Sequence, residues 1–162
     1  MRARAEGLRD FGASLGPEAA HRVAMGAETL ALRVQRQSEN AMAMCEFLHA
    51  HPKIKKVYYP GLAEHPQHAR AGELFRAFGG LLSFELQSHV DLWEFLNRLQ
   101  VIVKSSNLGD NRTLAIPVAH TIYFEMGPER RARMGIDDSL IRISSGIEDN
   151  EDLLADISAA FD

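Results

Sequence analysis

Arg142 is set between two isoleucines, in the run Leu140-Ile141-Arg142-Ile143-Ser144. Side chains alternate along a strand, so Ile141 and Ile143 share one face and Arg142 projects to the other. Its guanidinium is a planar fork of N–H donors that matches the two oxygens of a carboxylate. The small residues Ser144, Ser145 and Gly146 follow it. The residues alone leave two uses open: Arg142 binds the carboxylate of a ligand, or it forms a structural ion pair with Asp137, Asp138 or Glu148.

The loop Ser105-Ser106-Asn107-Leu108-Gly109-Asp110 is the second candidate. The Asn107 amide can donate a hydrogen bond, and Gly109 permits close backbone approach. Asn, Gly and Asp are also ordinary turn residues, so a plain surface turn is the competing reading. The chain's seven histidines include His65 and His68, one helical turn apart, but no third ligand follows and no metal site is assigned. Lone Cys45 excludes an internal disulfide, and Met25, Met42 and Met44 read as adaptable packing.

The elements that must position these residues follow from periodicity. From Pro17, apolar or small residues recur at three- and four-residue steps through Ala20, Val23, Ala24, Ala27, Leu30, Ala31 and Val34, then at Ala41, Cys45 and Leu48. This predicts one long amphipathic helix with Pro17 and Glu18 in its first turn, ended by His51-Pro52. Strands are predicted at Ile54 to Tyr59, at Leu82 to Leu86, near Thr113 to Ile116 and within Ser139 to Gly146, with an apolar run at Val101 to Val103. Helices are predicted from His65 to Phe78, from Asp91 to Leu99 and from Glu148 to Phe161. The fold class is therefore α+β, two layers, with a mostly antiparallel sheet covered by helices on one face. Its other face is left needing a partner surface. Residues 1–16 read as an N-terminal arm or an artificial chain boundary, and residues 17–162 as one domain.

The net charge of −4, from 22 acidic and 18 basic residues spread along the chain, provides no basic field for nucleic acid. No stretch is long and apolar enough to span a membrane. Lone Cys45 and the lack of an apolar leader fit a cytoplasmic setting.

Several short pieces, in one order, carry a resemblance over nearly the whole chain. They are Gly26-Ala27-Glu28-Thr29-Leu30-Ala31-Leu32-Arg33, Asn40-Ala41, Tyr59-Pro60-Gly61-Leu62, His65-Pro66 with His68, and Gly79-Gly80 before Ser83-Phe84. The most specific are Asn107-Leu108-Gly109-Asp110 with Thr113-Leu114, and Leu140-Ile141-Arg142-Ile143-Ser144 with Gly146-Ile147-Glu148-Asp149. Together they resemble the C-terminal part of the pyridoxal-phosphate enzymes of cysteine and methionine metabolism, the trans-sulfuration family of cystathionine synthases and lyases, methionine lyase and homoserine-ester sulfhydrylases. The resemblance implies the small C-terminal domain of a fold-type-I enzyme that performs γ-replacement or elimination on a homoserine ester or a cystathionine-like amino acid. It implies that Arg142, with Ser106, Asn107 and Leu108, binds the substrate α-carboxylate, and that the full-length enzyme is a homo-oligomer, a tetramer in this family.

The same resemblance implies that the N-terminal, cofactor-bearing domain is missing. The four lysines are Lys53, Lys55, Lys56 and Lys104, and none lies in the Ser/Thr-rich segment that carries the family's Schiff-base lysine. No catalytic residue is therefore expected in this chain, which alone should be inactive; the alternative is a truncated module that acts only by association. The family's His-Pro and Thr-His pairs after the loop are replaced here by Ile116-Pro117 and Thr121-Ile122, with His120 displaced. Tyr123 and Phe124 are candidates to fill that space.

Overall fold

The computed structural model describes residues 3–8, 11–12 and 14–162, so Met1, Arg2, Arg9, Asp10 and Ala13 of the expected arm lie outside the described residues. The chain forms two compact units, residues 1–32 and 33–162.

The first unit holds a helical turn at Ala3–Leu8 and helix α1, Pro17–Glu28. Pro17 begins α1, Glu18 lies in its first turn, and Arg22 pairs with Glu18 at 2.6 Å one turn on. The apolar stripe read from the sequence is not buried here: α1 has no buried residue, and Val23 is 64% exposed. Nor is the long helix continuous. Thr29 leaves helical geometry (φ −101°, ψ 6°), and α2, Leu30–Ala50, starts after it. Gly26 and Thr29, two poor helix formers within one turn, weaken the helix at this point.

From Arg33 onward α2 belongs to the second unit, where Gln37, Ser38, Asn40, Ala41, Met44, Cys45 and Leu48 are buried. The sheet contains β1 (Ile54–Tyr58), β2 (Leu81–Leu86), β3 (Val103–Lys104), β4 (Leu114–Pro117) and β5 (Leu140–Ser144), in the order β1-β2-β5-β4-β3. Only β3 and β4 pair in parallel, so the sheet is mostly antiparallel, as predicted. Between the strands lie α3 (His68–Leu74), α4 (Leu92–Arg98) and α5 (Pro128–Arg133), and α6 (Asn150–Ala160) closes the chain. Leu82, Phe84 and Leu86 of β2, Ile141 and Ile143 of β5 and Ala115 of β4 form one core with residues of α2, α4 and α6. That is the helix-covered face.

The opposite face is not bare, contrary to expectation. Register aligns Ser83, Arg142 and Ile116 in one row across it, and Leu81, Ser144 and Leu114 in the next. Glu85, Leu114 and Ile116 are buried. Lys55 and Tyr58 engage Glu85 at one side, and the loop after β3 is hydrogen-bonded to Arg142 and Ser144 at the other.

Two further departures, and the placement of the apolar run at Val101 to Val103, have identifiable causes. The helix expected from His65 to Phe78 is only α3, because Phe75 turns extended (φ −127°, ψ 147°) on the way to Gly79, whose φ of +82° suits glycine. Most of Val101 to Val103 stays out of the sheet, since the Asp156 carboxylate takes the N–H groups of Gln100, Val101 and Ile102. Helix α5 and the 3-10 turn Phe124–Met126 were not anticipated; Gly127-Pro128-Glu129 was their signal. Among the described residues, no helix is long and apolar enough to cross a membrane.

Candidate functional site

Strand β5 delivers Arg142 to the face away from the core, between Ser83 of β2 and Ile116 of β4. The three carboxylates that could have made it a structural ion pair are engaged elsewhere. Asp137 pairs with Lys55 at 2.8 Å, and Asp138 with Arg131 at 3.1 Å. Glu148 accepts from both the backbone N–H and the hydroxyl of Thr113, at 2.5 and 2.7 Å. Arg142 donates from Nη2 to the backbone oxygen of Ser106 at 2.9 Å, and its buried Nε has no partner. A buried donor without an acceptor costs free energy, so this guanidinium is held short of its hydrogen-bonding capacity.

The loop that reaches Arg142 is tied down at both ends. Ser105 N–H donates to Ala115 O at 3.3 Å as the chain leaves β3. Gly109 N–H donates to the Ser144 hydroxyl at 3.0 Å, and Gln37 Nε2 donates to Asp110 O at 2.9 Å. Gly109 adopts φ +70°, which glycine reaches without a Cβ penalty. Ser106, Asn107 and Leu108 lie between these ties and are exposed. Of the expected set, Ser106 is bonded to Arg142 through its backbone oxygen, and Asn107 and Leu108 follow it along the exposed loop that forms a rim beside the strand.

Behind the rim, Thr113 Oγ1 accepts from Gly146 N–H at 2.8 Å, while Asn40 Nδ2 donates to Gly146 O and Glu148 O. A Cβ on Gly146 would lie 2.5 Å from both the Arg112 carbonyl carbon and Asn111 O, so the chains approach here as only glycine allows. Gln37, Asn40, the Ser144 hydroxyl and the Thr113–Glu148 pair were missed by sequence reasoning. The available signal was the polar trio Gln37, Ser38 and Asn40, placed in helical register with Ala41 and Met44.

The residues that replace the expected histidine pairs divide. Ile116 is buried beside Arg142, whereas Ile122 and Phe124 are exposed and Tyr123 is half-buried. The His120 ring lies tilted against Trp93, with ring centroids 5.3 Å apart, and its Nε2 lies 3.0 Å from Asp138 O. His65 Nδ1 accepts from Gln67 N–H, and His68 Nδ1 contacts Pro60 O. No group of three metal-ligating side chains occurs among the described residues.

Two concavities, of about 340 and 560 Å³, are lined from β1 and from residues 128–138 and do not include Arg142. Arg142 is half-buried and is bonded instead to the exposed loop at Ser106.

Residues 2–162 match the family described as Cys/Met metabolism PLP-dependent enzyme. The chain belongs to that family. It is 40% identical over 162 residues to O-acetyl-L-homoserine sulfhydrylase 1 of Thermus thermophilus, covering 99% of this chain and 38% of the relative. It is 41% identical over 152 residues to O-succinylhomoserine sulfhydrylase of Pseudomonas aeruginosa, covering 93% of this chain and again 38% of the relative. Among solved structures, cystathionine gamma-lyase from Lactobacillus plantarum complexed with L-serine superposes with a TM-score of 0.87 at 36% identity, covering 94% of this chain and 40% of that one. The chain therefore spans about two-fifths of the length of these Cys/Met metabolism enzymes.

In such enzymes pyridoxal phosphate supplies the electron sink for carbanion chemistry. The side-chain amines of this chain's four lysines make their contacts elsewhere. Lys53 Nζ donates to Phe161 O, Lys55 bridges Glu85 and Asp137, Lys56 lies over the Tyr58 ring, and Lys104 donates to Asn97 Oδ1. None of these contacts is with the Arg142 rim.

Proposed function

We propose that residues 17–162 act as the substrate-binding domain of a pyridoxal-phosphate enzyme of sulfur amino-acid metabolism, and that Arg142 binds the substrate α-carboxylate. The observation that carries this reading is the state of Arg142: the three candidate carboxylates Asp137, Asp138 and Glu148 are engaged elsewhere, and its buried Nε lacks an acceptor. Asn107, beside it on the rim, adds an amide donor, and Ser106 and Leu108 complete the edge. The whole enzyme performs γ-replacement or elimination on a homoserine ester or cystathionine-like amino acid, in keeping with the two sulfhydrylases at about 40% identity. This chain's part is to hold the amino acid in orientation, a positioning role. In the whole enzyme this rim faces the cofactor-bearing domain. Its setting is cytoplasmic, consistent with the lone buried Cys45.

The test is a titration of isotopically labelled chain with L-homoserine, followed by the Nε–Hε resonance of Arg142. Saturable movement in the millimolar range is expected. Arg142→Ala should weaken binding roughly ten- to hundred-fold, the scale of a hydrogen bond to a charged group. A resonance indifferent to L-homoserine would sink the assignment.

A second reading, association without catalysis, is favoured by the exposed apolar residues Val23, Met25, Leu30 and Leu32. Under it the chain forms a homo-oligomer or docks on a full-length relative.

A further inference from the structure

Among the described residues Arg142 has one hydrogen bond, to a backbone carbonyl rather than to a side chain. Where that carbonyl stands therefore decides where the guanidinium stands. An arginine carries about 2 kcal/mol of rotamer entropy, so a fork that is already oriented loses less on binding than one that is free.

The carbonyl belongs to Ser106, in a span of three residues between two fixed points. Upstream, Ser105 N–H is held by Ala115 O. Downstream, two side chains hold successive residues from opposite sides: Ser144 takes Gly109 N–H, and Gln37 donates to Asp110 O. Ser144 lies two residues beyond Arg142 on β5, on the same face, so one strand both presents the guanidinium and anchors the loop that orients it. Gln37 reaches across 73 residues from α2 and is 7% exposed. Its Cβ lies 3.1 Å from where a Gly80 side chain would begin, and Gly80 O accepts from Ser145 N–H at 2.7 Å. The glutamine stem therefore starts close against Gly80, and the residue is buried.

We infer that Gln37 and Ser144 are positioning residues for Arg142: by fixing Gly109 and Asp110 they set the Ser106 carbonyl and, through it, the orientation of the guanidinium toward a carboxylate. The inference rests on Arg142 being the carboxylate-binding group.

The experiment compares the full chain with Gln37→Met, which keeps the stem and deletes the donor, and with Ser144→Ala and Ser144→Thr. Three quantities are read: the ligand-free Nε–Hε resonance of Arg142 and its solvent exchange, the L-homoserine Kd, and Tm. Gln37→Met and Ser144→Ala should each move the resonance toward that of a free arginine, accelerate its exchange and weaken Kd roughly three- to ten-fold, the effect of losing one hydrogen bond. Ser144→Thr, which restores the hydroxyl, should recover both resonance and affinity. A purely structural role would lower Tm and leave the Arg142 resonance in place; that outcome, or unchanged Kd in both deletions, overturns the inference. Absence of homoserine binding by the unmodified chain would instead count against the carboxylate assignment, while the ligand-free resonance still decides whether Gln37 and Ser144 orient Arg142. The two failures are thus separable.

Discussion

Glu85 and Arg142 lie on the same face of the sheet, and the way Glu85 is neutralised helps explain why Arg142 stays without a carboxylate partner. Glu85 is held by Lys55 at 2.7 Å and by the Tyr58 hydroxyl at 2.5 Å, and the same lysine reaches Asp137 at 2.8 Å. Each group shows the cost or gain of this arrangement. The hydrogen bond from Lys55, with that from Ser139 N–H, holds Asp137 down at about 2, from the usual 3.8. Burial, then the Glu85 hydrogen bond, pushes Tyr58 up to about 12, and the two carboxylates raise Lys55. For Asp137 the folded value lies below the unfolded one, so its contribution is fully present above about pH 4 and is lost as pH falls through about 2. Asp137→Asn should cost about 1 kcal/mol near neutrality, since the bonds to Ser139 and Lys55 are weakened. It should also flatten the fall of Tm between pH 4 and pH 2. Thermal scans across that window check this, and an equally steep fall in the variant would rule the argument out.

At the scale of elements, the sequence was most legible where a pattern is local. Alternation around Arg142 placed it correctly on the face away from Ile141 and Ile143, and the strands at Ile54, Leu82 and Thr113 were found near their true bounds. It was silent where the deciding partner is distant. Nothing near Val101 announces that Asp156, some 55 residues on, takes three consecutive N–H groups at 2.7, 3.1 and 2.9 Å, which keeps most of an apolar run out of the sheet. The candidate site divides in the same way: Arg142 and the Asn107 loop could be read from motif and spacing, whereas Gln37 and Ser144 act across 73 and 35 residues. Asp156→Ala therefore makes a sharp test of the distant contact. It leaves the buried Ile102 N–H and its two neighbours without their acceptor and should cost about 2–3 kcal/mol, measurable as a lower urea midpoint at unchanged slope. A loss below a few tenths of a kcal/mol would mean that water or a shifted chain serves the three donors equally well.

For the whole molecule, the question is how much of the chain the fold of residues 33–162 requires. Every member of the main core cluster lies at or beyond Ala41, as do all five strands, the loop and Arg142. Helix α1 buries none of its residues, and Val23, Met25, Leu30 and Leu32 are between 50% and 69% exposed. A chain of residues 33–162 should therefore unfold cooperatively within about 1 kcal/mol of the full chain, as expected when mostly exposed groups are removed. It should show the same Arg142 resonance. The exposed apolar residues have a different consequence: if they drive association, the full chain elutes from a sizing column as an oligomer and the shortened chain as a monomer. If both elute as monomers, association without catalysis loses its support, and the Arg142 rim is left as the surface through which this chain contributes to function.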